Sequence, residues 1–172
     1  QTTLSGTLYS DEGVTEITSG KTIKIAVGTS TPSVHTTTTD SGVGSFNFTI
    51  DTSSVDPGDP FTIWLDGDVI DASVVSTIGA SSTADISGLD LYADTVIVRN
   101  GNNTASSTDV ASFAFYDNDD DSDLGYLGSS TAQTLTILSG EDFYVWSGTT
   151  FDAPSTTISG SYTGNGTTTG LT

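Results

Sequence analysis

Apolar side chains recur at alternate positions in six stretches of this chain: Leu4/Leu8, Ile23/Ile25/Val27, Phe46/Phe48/Ile50, Phe61/Ile63/Leu65, Leu135/Ile137 and Phe143/Val145. That spacing sets each group on one face of a β-strand, and no segment shows a competing helical period. Turn signals separate the stretches: "SDEG" at Ser10–Gly13, "TDSG" at Thr39–Gly42, "DPGDP" at Asp56–Pro60, and Ser-Gly at Ser139 and Ser147. Asp66-Gly67, between "TIWL" and "DVI", predicts a two-residue hairpin turn. Short strands at this spacing predict an all-β fold of the antiparallel β-sandwich type.

A second pattern is a repeated tripeptide. Leu/Ile-Ser-Gly begins at Leu4, Ile86, Leu138 and Ile158, and the first, second and fourth copies are followed closely by Tyr9, Tyr92 and Tyr162. The opening "TTLSGTLYS" (Thr2–Ser10) returns near the end as "TTISGSYTG" (Thr156–Gly164). The spacing divides the chain into an Ig-like β-sandwich module over residues 1–90, a second, smaller β-rich module over 91–156, and a terminal strand or tail over 157–172.

The segments "SGTLYSDEG" (Ser5–Gly13), "KTIKIAV" (Lys21–Val27) and "TTTTDSGVGSFNFTI" (Thr36–Ile50) resemble the carboxypeptidase-regulatory-like, transthyretin-like β-sandwich repeats of bacterial cell-surface proteins. The resemblance covers residues 3–98 and includes that family's T-D-x-x-G-x-[YF]-x-F hairpin, here with one extra residue between Asp40 and Phe46. It implies an Ig-like sandwich serving as a stalk, spacer or adhesive module, and it transfers no catalytic residue.

Composition narrows the function classes. Lys21, Lys24 and Arg99 face 22 acidic residues, for a net charge of -19, so a phosphate backbone is repelled and nucleic acid is excluded as a partner. Ser and Thr together number 57, and 19 Gly accompany them, which suits exposed strands and tight turns. Cys is absent, so no disulfide or thiolate site exists. No apolar run approaches the roughly 20 residues of a membrane span, which argues against membrane insertion. The absence of Met and the start at Gln1 suggest an exported or processed chain, hence an extracellular or cell-surface location.

The densest charge lies in "YDNDDDSDLG", where Asp117, Asp119, Asp121 and Asp123 alternate with further oxygen donors. Ca²⁺ takes six to eight such oxygens in a flexible loop, so these four residues form the expected metal site, with a solvated acidic turn as the alternative. The smaller acidic turns Asp56/Asp59 and Asp66/Asp68/Asp71 read first as plain turns. His35 is the single imidazole and stands on a solvent-facing strand, and no acid pair is singled out, so no catalytic residue is expected and the protein reads as a non-enzyme. Trp64, Trp146, Tyr144 and Tyr92 offer either core packing or an aromatic platform for carbohydrate. Asn47, Asn102 and Asn165 lie in Asn-x-Ser/Thr sequons and are candidate glycosylation sites.

Two functions follow. One is a self-assembling subunit of a surface filament or layer, a homopolymer joined head to tail by β-strand addition. In that reading a terminal segment, carrying Leu4 and Leu8 or Ile158 and Tyr162, completes the sandwich of the next subunit. The other is a stalk or adhesin module of a larger tandem-repeat surface protein, with carbohydrate as a partner.

Overall fold

The computed structural model describes residues 1–172 apart from 29, 30, 54, 80–83, 102–107, 165 and 172, together with the side chains of 154 and 169–171. In chain order the strands are β1 (Thr2–Tyr9), β2 (Thr22–Val27), β3 (Ser33–Thr38), β4 (Ser45–Ile50), β5 (Pro60–Asp66), β6 (Ala72–Thr77), β7 (Leu91–Tyr92), β8 (Thr95–Val98) and β9 (Thr108–Asp109). A single helical turn, α1 (Val110–Phe113), precedes β10 (Tyr126–Ser129), β11 (Thr134–Ile137), β12 (Asp142–Val145), β13 (Thr150–Ile158), β14 (Tyr162–Gly164) and β15 (Thr167–Leu171). Asp109 caps α1, its carboxylate accepting from the Ser112 amide at 3.1 Å.

The fold is all-β and built in three layers. A seven-stranded sheet in the order β14-β12-β8-β6-β5-β2-β3 lies between a three-stranded sheet, β4-β1-β7, and an outer sheet in the order β10-β11-β13-β15 with β9 on β13. One face of the central sheet (Ile23, Ile25, Phe61, Ile63, Leu65, Val74, Ile97) packs on Leu4, Leu8, Phe46, Phe48 and Ile50 of the first outer layer. Its other face (Ala26, Trp64, Val75, Val96, Val98, Phe143, Val145) packs on Phe113, Tyr126, Leu135, Ile137 and Phe151. Each large apolar side chain so buried contributes roughly 1.5–3 kcal/mol.

The middle position explains a pattern that alternation alone does not. All six residues of β6 and all four of β8 are buried, as a strand covered on both faces requires. The boundary expected at 90/91 consequently does not separate two sheets, because β8, β12 and β14 continue the sheet that β2, β5 and β6 begin.

Strand direction changes along the chain. The pairs β1–β4, β2–β3, β2–β5 and β5–β6 are antiparallel. From β6 onward parallel pairing prevails: β6–β8, β8–β12 and β12–β14 in the central sheet, β11–β13 and β13–β15 in the outer one. The chain from β11 to β15 alternates between these two sheets and lays each strand parallel to the one before last, so this closing stretch winds as a short parallel solenoid.

Two local expectations are corrected. Asp66-Gly67 opens a longer connection, since the β5–β6 ladder reaches only to Trp64↔Ser73, β6 begins at Ala72, and Val69 is 98% exposed. The Thr39–Gly42 turn is a corner and not a hairpin: β3 joins β2 in the central sheet and β4 joins β1 in the outer one, with Asp40 N–H bonding the Ser45 carbonyl at 2.7 Å where they part.

Candidate metal centre

The acidic run is folded into a loop by its own side chains. Asp117 is 6% exposed, and its carboxylate accepts from the Gly128 amide at 2.8 Å and the Asp119 amide at 3.0 Å. The Asn118 side-chain amide donates to the Ser122 carbonyl at 3.2 Å and the Leu124 carbonyl at 2.7 Å, and Asp121 accepts from the Asp123 backbone amide at 3.2 Å. Burial pushes the Asp117 carboxyl above the usual carboxylate range. Beneath it, the buried Tyr126 hydroxyl donates to the Tyr116 carbonyl at 2.8 Å and lies 3.1 Å from Thr62 Oγ1, which ties the loop to β5.

The four candidates therefore part company. Asp117 serves the loop's backbone and Asp119 is exposed to solvent, while Asp121 and Asp123 turn toward the central sheet and meet Asp66. One carboxylate oxygen of each of these three lies within 4.8 Å of the others. Asp66 comes from the end of β5, through one of the acidic turns that the sequence leaves as a plain turn.

A cation already serves this triad. Lys24 Nζ stands 2.6 Å from Asp66 Oδ1 and 3.7 Å from Asp121 Oδ2, and Asp123 Oδ2 accepts from the Gly67 amide at 2.6 Å. The Lys24 ammonium is shifted above its ordinary pKa, first by its hydrogen bond to Asp66. Chemically, the arrangement fastens the 117–123 loop onto the central sheet by an ion pair.

No family model, no curated protein and no solved structure matches this chain.

A second row of carboxylates begins beside the first. Ala72, Thr95 and Asp142 are register partners across β6, β8 and β12, so Asp71, Asp94 and Glu141 stand just before the starts of three adjacent parallel strands, Asp94 in a left-handed turn at φ 53°. Asp94 N–H bonds the Asp71 carbonyl at 2.6 Å and Asp142 N–H bonds the Asp94 carbonyl at 2.8 Å, which fixes the row. Glu141 is 6% exposed, packs over Gly125, and its Oε2 is buried without a hydrogen-bond partner. Its carboxyl is pushed up to about 7, by burial first and then by the charges of Asp71, Asp94 and Asp142. Asp71 is raised for the same reasons, burial first and then Asp123 and Asp94.

The remaining candidates are dispersed. Leu4 and Leu8 are fully buried in their own subunit, Ile158 is partly buried against the second core, and Tyr162 is 39% exposed on an edge strand. Asn47 is exposed on β4, whereas Asn102 and Asn165 lie outside the described residues. His35 is exposed on β3. Tyr92, Tyr144 and Trp146 cluster with Tyr9 on one face of the central sheet, and Arg99 lies 5.2 Å from the Trp146 ring. Trp64 is buried on the opposite face beside Tyr116. The Tyr9–Tyr92, Tyr92–Tyr144 and Tyr144–Trp146 contacts are edge-to-face and the Tyr92–Trp146 contact is tilted, with Tyr92 buried in the first core and Tyr9, Tyr144 and Trp146 partly buried against it.

Proposed function

We propose that the protein is an extracellular structural subunit that assembles head to tail by β-strand addition at the two edges of its seven-stranded sheet. The observation that carries this reading is the character of those edges. β3 and β14 are the outermost strands, and both lie in charge-free sequence: residues 28–39 and 153–172 contain no Asp, Glu, Lys or Arg in a chain of net charge -19. Strand edges present unpaired N–H and C=O groups, and proteins ordinarily guard them with charge. Here the acids are placed elsewhere and both edges are left open.

The mode differs from exchange of a terminal segment. β1 is held between β4 and β7 of its own chain and β14 lies on its own β12, so each subunit is complete and the join is edge to edge. β3 meeting β14 is a heterologous contact and builds a filament unless it closes into a ring. A stalk or adhesin module is the second reading, favoured by the parallel end formed by β14 and β15, on which a covalently linked segment could stack as well.

Lysine at either edge tests the proposal, through Val34→Lys on β3 and Thr163→Lys on β14. Wild-type protein is expected to polymerise in electron micrographs, each variant alone to stay monomeric, and an equimolar mixture to stop at dimers, because it retains one good edge of each kind. A wild-type protein that remains monomeric at high concentration and salt overturns the reading.

A further inference from the structure

Among the described residues, five large apolar side chains are exposed: Val14, Val34, Val43, Val69 and Tyr162. Three of them lie in turns, whereas Val34 and Tyr162 stand on β3 and β14, the two edges of the seven-stranded sheet. They also share one face of it. Val34 is the register partner of Ala26 and Tyr162 that of Phe143, and both partners belong to the second core. The Tyr162 ring rests 6.1 Å from that of Phe143.

The backbone at each edge turns the same two residues outward. Thr39 N–H bonds the Lys21 carbonyl at 2.9 Å, so every second residue, Ser33, His35 and Thr37, carries the ladder bonds from β3 to β2. Val34 and Thr36, between them, direct their N–H and C=O groups away from the sheet. On β14, Phe143 N–H bonds the Ser161 carbonyl at 2.8 Å, so Tyr162 likewise directs its N–H and C=O outward.

Three antiparallel steps (β3–β2, β2–β5, β5–β6) and three parallel ones (β6–β8, β8–β12, β12–β14) separate the edges, so β3 and β14 run in opposite senses. A second copy in the same orientation therefore meets the first through an antiparallel pair, in which outward residues face outward residues and Val34 and Tyr162 fall on one face. A copy turned over would pair in parallel and set Tyr162 on the face of His35. The first arrangement has the more stable ladder and joins an aromatic to a β-branched side chain, a favourable cross-strand pair. Net charge does not prevent it. Each subunit adds seven strands, roughly 34 Å at about 4.8 Å per strand, so equivalent acidic loops lie several screening lengths of about 8 Å apart at physiological salt.

We infer that the occupant of the β14 edge is β3 of a second, identically oriented copy, paired antiparallel with Tyr162 opposite Val34. This rests on the edge-to-edge reading above and adds the sense, face and register of the join. In that register Thr163 stands opposite Ser33 on the other face, in a non-hydrogen-bonded pair with Cα atoms about 4.5 Å apart.

The chain has no Cys, so engineered cysteine pairs report the join without background. Ser33→Cys combined with Thr163→Cys keeps Val34 and Tyr162 in place. Mild oxidation of this assembled double variant is expected to give a ladder of covalent multimers on a non-reducing gel, since the spacing suits a disulfide. Thr36→Cys with Thr163→Cys, positions that share a face only if the copy is turned over, should stay monomeric on the same gel. Melting curves check that both variants fold. Should Thr163→Cys disturb folding, Ser161→Cys with His35→Cys, opposite each other in the same register, gives the same readout. A ladder from the Thr36 pair, or from no pair in protein that still polymerises, overturns this arrangement and leaves the edge-to-edge reading standing. Wild-type protein that does not polymerise overturns both.

Discussion

Leu4 and Ile86 lie side by side in a parallel bridge, each the first residue of a Leu/Ile-Ser-Gly segment. Ser5 N–H bonds the Ile86 carbonyl at 2.9 Å and Ile86 N–H bonds the Thr3 carbonyl at 2.8 Å. Farther along, Leu8 pairs with Leu91 and Tyr9 with Tyr92. Near the end the parallel pairs are Ile137 with Ile158 and Phe143 with Tyr162, one residue out of step with the copy that begins at Leu138. The tripeptide is thus a stacking signal for its first two copies, which lie parallel and in register.

The glycine of the echo is required by closeness. A Cβ on Gly6 would collide with the Leu89 carbonyl, and one on Gly160 with the Glu141 carbonyl. Gly6→Ala is expected to cost about 3 kcal/mol or more and to break the parallel register, and Gly160→Ala to release β14. Gly20→Ala, where the nearest foreign atom is 3.9 Å away, should be neutral or stabilising by about 0.4–1 kcal/mol. Urea denaturation of the three variants checks the contrast.

Lys24 holds the acidic loop to the sheet through Asp66 and Asp121. Lys24→Met leaves those two carboxylates and Asp123 facing one another. A loss of about 1 kcal/mol is expected for so partly exposed a pair, smaller at high salt. Amide exchange should quicken at Asn118 and Gly128, whose N–H groups anchor the loop, with little change in β5. Unchanged exchange at both amides would mean that the loop stands without the ion pair.

The strands with one buried face were legible in the sequence because alternation reports burial on a single side. β1 and β4 carry their buried residues where period two places them, and in β2 and β5 the same alternation marks the face toward them, while Ala26, Thr62 and Trp64 fill the other. The third layer was not legible by that rule, since β6 and β8 are buried on both faces and have no alternation to read; the unbroken "TVIV" was the available signal. Of the acidic loop, the sequence indicated the cluster and not its division. Which acids turn inward depends on Lys24 and Asp66, two residues brought there by strand pairing between β2 and β5. The Asp71–Asp94–Glu141 row was hidden for the same reason, as only the parallel register of β6, β8 and β12 aligns residues so far apart.

Glu141 sets a pH dependence of stability. Its carboxyl, ordinarily near 4.5, is pushed up to about 7 in the folded protein, so the folded state holds a proton that the unfolded chain releases between those values. Its stabilising contribution is complete below about pH 4.5, falls as pH rises toward 7, and is gone above. Asp71, also raised by burial first, contributes with the same sign. Glu141→Gln should flatten the stability profile across this window. A wild-type profile that rises from pH 5 to 7 would contradict the assignment.

Removal of residues 159–172 separates folding from assembly. The deletion takes away β14 and β15, which are edge strands of their sheets. The residues that fill the two cores up to Ala153, including Phe143, Val145 and Phe151, all remain. The truncated protein is expected to fold, with its melting temperature lowered only modestly. Its central sheet, however, now ends at β12, which carries Asp142 beside Glu141 and so presents charge where the uncharged β14 stood. Such a subunit keeps β3 as its one open edge and can cap a growing end without extending it. Added in small amounts to full-length protein it should shorten the filaments in proportion, as measured by electron microscopy. Truncated protein that polymerises by itself would show that β14 is not one of the joining edges.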